Sequence, residues 1–139
     1  MTNEVYSKQI TPEEVQAAYK QTGLTPLSGT FYRDDAVNRQ LCGCPLTALY
    51  LAAGNELPTG KASCYTGNGA VTDWACRMYG AEYVGGFVSG VDGDTGYWHW
   101  LSRSERYRQG ESDGRRAGCR VGVLDQFGTP VKVPEPMCD

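Results

Sequence analysis

The apolar positions of this chain recur at helical spacing in several segments, and these segments carry the start and stop residues typical of helices. The clearest segment begins at Thr11, which is followed by Pro12 and, three residues after the threonine, by Glu14. This order is typical of a capping box, in which the two polar side chains bind backbone N–H groups of the first turn. Because Gly23 ends the run, the pattern predicts a helix over 12–22.

A second apolar segment lies between Pro45 and Gly54. Proline is tolerated in a first helical turn and glycine is common just past the last one, so the spacing predicts a helix at about 44–53. Cys44 falls at or next to its N-cap, two residues after Cys42. The positive end of a helix dipole favours a thiolate over a thiol, which makes Cys44 a candidate for reactivity.

Three more helices are predicted in the second half of the chain, at about 70–79, 81–91 and 103–125. A loop is expected before them, over 55–69, and an extended connection with room for one short strand over 24–35. The last helix has an alternative, in which valines on either side of Gly128-Thr129-Pro130 form a hairpin. A mixed-sign run within it predicts a solvated face; the charged residues are Glu105, Arg106, Arg108, Glu111, Asp113, Arg115 and Arg116.

Two of these segments share a spacing of tyrosine and glycine. Tyr83, Gly86 and Gly90 are matched by Tyr107, Gly110 and Gly114 at an offset of 24 residues. Glycine inside an exposed helix costs about 1 kcal/mol relative to alanine, so the glycines need a compensating contact. Positions three and four apart lie on one face, and we therefore predict that helices 81–91 and 103–125 pack closely on each other or on the cysteine helix. The alternative is that a glycine at 85, 86 or 110 ends a helix.

The predicted fold is mainly α, with about five helices and at most a minor hairpin. A length of 139 residues fits one compact domain over 1–139. We expect an ordered core at about 10–128 and a flexible tail at 134–139.

Composition narrows the choice of partners and compartment. Thirteen basic and sixteen acidic side chains give a net charge of −3 without a basic cluster, which argues against nucleic acid. No apolar run approaches the length of a membrane span and the start of the chain does not resemble a signal peptide, so we expect a soluble cytoplasmic protein. In a reducing compartment most of the six cysteines are expected to be free packing residues.

Several motifs together resemble a family of small uncharacterised bacterial proteins. The glycine motifs are Tyr83-x-x-Gly86-Phe87-x-x-Gly90-x-Asp92-Gly93 and Tyr107-x-x-Gly110-x-x-Asp113-Gly114-Arg115, and the helix signals around Thr11 and Cys44 accompany them. This resemblance covers about residues 10–118. It implies a compact helical domain and no particular activity.

A weaker resemblance is to papain-like cysteine hydrolases, in which a Cys-Gly-Pro stretch opens a central helix. Cys42-Gly43-Cys44-Pro45 is similar to that stretch but has one extra residue before the proline, which leaves the nucleophile open between the two thiols. The resemblance implies His99 as the base and Asp125 as the residue that orients it.

Two other uses of the cysteines remain as alternatives. A structural zinc site would draw on Cys42, Cys44 and Cys64 with Cys76 or His99, although the short paired spacing of such sites is absent. A redox role would cycle Cys42 and Cys44 through a disulfide, without the usual Cys-x-x-Cys arrangement. The expectation is therefore no metal and no cofactor.

The leading hypothesis is a binding or interaction module without chemistry of its own. Its predicted contact residues are Tyr97, Trp98 and Trp100, an aromatic cluster suited to a protein partner or to self-association. The alternative is a thiol-dependent enzyme centred on Cys44, and the third possibility is a structural zinc protein.

Overall fold

The computed structural model describes residues 8–26, 32–35, 40–57, 63–92 and 104–122. These residues form five helices, which are α1 (Pro12–Thr22), α2 (Pro45–Ala52), α3 (Ser63–Tyr79), α4 (Ala81–Asp92) and α5 (Glu105–Val121). They also form three short strands, β1 (Thr25–Pro26), β2 (Tyr32–Asp35) and β3 (Gln40–Gly43). The prediction of a mainly α fold is confirmed.

The ends of α1 and α5 are fixed by local capping. At α1 the Thr11 side chain accepts from the backbone N–H of Glu14 at 3.2 Å, while the Glu14 carboxylate accepts from the backbone N–H of Thr11 at 3.1 Å. This is the predicted capping box, and Gly23 ends the helix in a left-handed conformation with φ +72°. At α5 the Ser104 hydroxyl accepts from the backbone N–H of Tyr107, and Gly122 ends the helix four residues earlier than the bound predicted from sequence.

Gly80 alone separates α3 from α4. Its φ of +89° is a left-handed conformation that glycine adopts without steric cost. The predicted break at this position is confirmed, but α3 begins at Ser63, inside the segment 55–69 that was predicted to be a loop. The prediction was wrong there because tertiary context can override the low helix propensity of glycine, serine and asparagine.

The strands form one small mixed sheet in the order β1-β3-β2. β1 runs parallel to β3, with Thr25 opposite Cys42, and β2 runs antiparallel to β3, with Arg33 opposite Cys42 on the other side. The antiparallel pair lies directly before α2, whereas the hairpin considered from sequence falls largely beyond Gly122, outside the described residues. The sheet leads the chain into the N-terminus of α2.

The close packing of α4 on α5 is the main structural consequence of the glycine spacing. A Cβ placed on Gly86 would lie 2.0 Å from the carbonyl oxygen of Tyr107, and one placed on Gly110 would lie 2.1 Å from that of Tyr83. These contacts are reciprocal, because each glycine meets the tyrosine of the other helix. The predicted pairing of the two helices is confirmed, and neither Gly86 nor Gly110 ends its helix.

The next turn repeats this arrangement. A Cβ on Gly90 would lie 2.1 Å from the carbonyl oxygen of Glu111, and one on Gly114 would lie 2.2 Å from that of Phe87. Because the contacts advance in the same direction along both helices, α4 and α5 are parallel. Their N-termini therefore lie at the same end of the pair.

One hydrophobic core joins α1, α2, α3, α4 and α5. Its largest fully buried side chains come from the segment before α1 and from four of the helices; they are Tyr83, Phe87, Ile10, Leu46, Val15, Val71, Thr47 and Pro45. None of the helices in the described part of the chain combines the length and the apolar character needed to cross a bilayer.

Candidate functional site

The cysteine motif lies where β3 passes into α2. Cys44 is the N-cap of α2 and has extended backbone angles, with φ −75° and ψ 168°, and Pro45 occupies the first turn. Cys42 lies on β3 and is buried. Both positions agree with the helix boundary predicted from sequence, so the described part of the candidate thiol site is held on a strand and a helix terminus.

Gly43, between the two cysteines, is enclosed on two sides. A Cβ at this position would lie 2.6 Å from Cδ2 of Leu24 and 3.1 Å from Cγ2 of Thr47. Its carbonyl oxygen accepts a hydrogen bond of 2.7 Å from the buried hydroxyl of Tyr19 in α1. The glycine therefore packs the motif against α1 and α2, and this packing explains why the neighbouring thiols are covered.

The Cys44 thiol is subject to opposing influences on its pKa. Burial is the largest and raises the pKa, whereas the backbone and hydroxyl of Thr47 and the backbone of Leu46 lower it, and the charge of Asp92 raises it. The thiol sulfur lies 3.7 Å from the Thr47 hydroxyl oxygen. Burial prevails, since Cys44 is only 7% exposed and its pKa is raised from 9.0 to about 11. The N-terminus of the helix favours the thiolate, as expected, but desolvation outweighs it.

The other residues of the predicted thiol site, His99 and Asp125, lie outside the described residues, as do the predicted partner-contact residues Tyr97, Trp98 and Trp100. The structure therefore brings Cys42 and Cys44 to one place without describing a base beside them. These assignments remain predictions.

The remaining cysteines are used in different ways. Cys76 on α3 is free and half-buried, and burial followed by the charge of Asp73 raises its pKa. Cys119 on α5 is disulfide-bonded, whereas Cys42, Cys44 and Cys76 are free, in agreement with the expectation that most cysteines are free. No cluster of three or more histidine, cysteine or acidic residues suited to a metal ion occurs within the described ranges.

A buried polar network links α4, α5 and the segment before α1. The Tyr83 hydroxyl donates to the carboxylate of Asp113 at 2.5 Å and accepts from the backbone N–H of Ile10 at 2.7 Å. The Gln9 side-chain amide donates to the same carboxylate at 3.1 Å, and Arg116 lies 3.9 Å from its other oxygen. Burial and the bond to Asp113 raise the pKa of Tyr83, which keeps the phenol neutral.

Arg106 connects three elements at the start of α5. One guanidinium nitrogen donates to the carbonyl oxygens of Tyr79, at 2.7 Å, and Lys8, at 3.1 Å. The other donates to the side chain of Gln109. The guanidinium also lies over the ring of Tyr83, 4.4 Å from its centre, which is favourable cation–π geometry. Arg106 thus binds the last carbonyl group of α3 and the backbone of the segment before α1.

The sequence did not predict this network. Arg106 and Asp113 were expected to lie in a solvated mixed-sign run, but Asp113 is only 7% exposed and Arg106 is half-buried. A signal was present in the spacing, because Asp113 directly precedes Gly114 and follows Gly110 by three residues, on the face that the glycines predict to be buried. For this run the prediction was wrong at Asp113.

A cavity of about 760 Å³ lies beside the network, where the parallel helices α4 and α5 begin. Its wall includes Gln9, residues 79–83 around Gly80, residues 104–106 and Gln109. Glu82 and Glu105 lie in the first turns of the two helices, where a carboxylate complements the helix dipole. The wall of the cavity therefore combines two carboxylates and one guanidinium with apolar surface.

Comparisons with known proteins found no match to this chain among models of protein families, among curated proteins or among solved structures. The resemblances drawn from its motifs therefore stay predictions.

Proposed function

We propose that the protein is a non-enzymatic binding module whose partner is another protein or a second copy of the chain. The observation that carries this proposal is the burial of Cys44, the thiol that the sequence identified as the main candidate for a reactive nucleophile. With a pKa of about 11, only about one Cys44 thiol in 10,000 is ionised at pH 7. Since the thiolate is the nucleophile, a buried neutral thiol supports a packing role.

Tyr83, Asp113 and Arg106 support the same view, because they form hydrogen bonds with groups inside the fold. Tyr83 uses its hydroxyl as both donor and acceptor, and Asp113 accepts from two side chains. Arg106 makes three hydrogen bonds and covers an aromatic ring. Groups committed in this way stabilise the structure and have little capacity left for a substrate.

The proposed contact residues are Tyr97, Trp98 and Trp100, which belong to the sequence that connects α4 to α5. Tyrosine and tryptophan are enriched among residues that dominate the energy of protein interfaces. This part of the proposal rests on sequence alone.

A pull-down with matched variants tests the partner. We expect a protein that is retained by the wild type and by Arg108→Ala, an exposed position on α5, but lost with the triple replacement of Tyr97, Trp98 and Trp100 by alanine. Sedimentation of the same variants tests self-association. If nothing is retained and the wild type is monomeric at all concentrations, the binding proposal fails.

Thiol reactivity separates this proposal from the enzyme alternative. In the folded protein at pH 6 we expect Cys44 to react with iodoacetamide far more slowly than a cysteine peptide does, and more slowly than the half-buried Cys76. Labelled positions are read by peptide mass spectrometry. Labelling of Cys44 faster than the peptide, slowed by His99→Ala, would instead establish an activated thiol, and stoichiometric zinc in the purified protein would favour the metal alternative.

A further inference from the structure

We draw no further inference here: the strongest candidate, the cavity of about 760 Å³ where α4 and α5 begin, carries nothing, because its two helix N-termini are already faced by Glu82 and Glu105, its guanidinium is already bound within the fold, and nothing among its described lining residues points to a ligand.

Discussion

Several interactions of the described residues converge on Tyr83. It is fully buried, its hydroxyl joins the backbone of Ile10 to the carboxylate of Asp113, and its ring lies under Arg106. Burying a hydroxyl and a carboxylate without partners would cost several kcal/mol, so each group depends on the other. This dependence ties the segment before α1 to the α4–α5 pair.

Replacing Tyr83 by phenylalanine should therefore destabilise the fold by about 1–3 kcal/mol, because it removes one donor and one acceptor from buried groups that keep their own polarity. Tyr107 is the control, since it occupies the equivalent position on α5, is also buried, and its hydroxyl bonds to none of the described residues. Tyr107→Phe should change the free energy of unfolding by less than about 0.5 kcal/mol. If urea denaturation gave the same change in the free energy of unfolding for both variants, the hydrogen bonds of Tyr83 would contribute nothing to stability.

A second prediction at the residue scale is that Cys44 makes the free energy of unfolding depend on pH. Its pKa is about 11 in the folded protein and 9.0 as a free side chain. Below pH 9 the thiol is protonated in both states; between pH 9 and 11 only the unfolded chain loses the proton, so stability falls as the pH rises. A difference of two units between the folded and unfolded pKa values corresponds to a loss of about 2–3 kcal/mol in the free energy of unfolding.

The measurement is the free energy of unfolding of the wild type minus that of Cys44→Ala across this range. The subtraction removes the contributions of other groups that titrate at high pH, such as Tyr79, whose pKa is raised to about 12 by burial and, less, by Glu14. We expect the difference to decline steadily from pH 9 to 11. Parallel curves would mean that the thiol is not desolvated as described.

Residue patterns in the sequence predicted the position of Cys44 but not its pKa. The proline and glycine around α2 are local signals, so the N-cap could be placed by inspection. The packing around the motif also depends on Leu24 and Tyr19, which approach Gly43 from elsewhere in the chain. Local sequence does not specify such long-range packing.

At the scale of elements, the contact between α4 and α5 is made by backbone. The four glycines bring each helix against carbonyl oxygens of the other, which permits Cα–H···O contacts and dispersion between main chains. This gain offsets the helix-propensity cost of glycine, about 1 kcal/mol each. The matched tyrosine and glycine spacing gives the pair a local twofold relation.

Alanine at Gly86 or Gly110 should therefore separate the helices and destabilise the protein by about 2–4 kcal/mol, as overpacking of a core does. Gly85 is the matched control on the same helix, because it is exposed and a Cβ there would meet only the Tyr107 ring, at 3.7 Å. Gly85→Ala should stabilise by up to about 1 kcal/mol through helix propensity. Thermal unfolding by circular dichroism measures both, and a neutral Gly86→Ala would contradict the close approach.

The spacing of the glycines was enough to predict that these two helices meet, because it marks one face on each of them. It did not predict that they run parallel. Neighbouring helices joined by short loops are usually antiparallel, and the glycine spacing marks one face of each helix without specifying its direction. The early start of α3 and the strand β3 were missed for a related reason, since both are set by neighbours more than by their own composition.

For the whole molecule, a continuous line of aromatic rings joins α2, α3 and α4. Tyr50 contacts Trp74 edge to face at 5.8 Å, Trp74 contacts Tyr79 at 6.2 Å, and the line continues through Tyr83 to Phe87. α1 packs on both α2 and α5, which closes the arrangement around one core. Elements that share a core in this way are expected to unfold together.

This expectation can be tested with Trp74 as a local probe. In a variant with Trp98 and Trp100 replaced by phenylalanine, the fluorescence reports on α3 alone, because the chain has three tryptophans. Its urea transition should coincide with the loss of helix by circular dichroism, with one midpoint and one slope, since Trp74 lies between rings of α2 and the end of α3. If the Trp74 fluorescence changes at a lower urea concentration than the helix signal in circular dichroism, α3 unfolds as a separate unit. The glycine-paired helices α4 and α5 then form a core of their own.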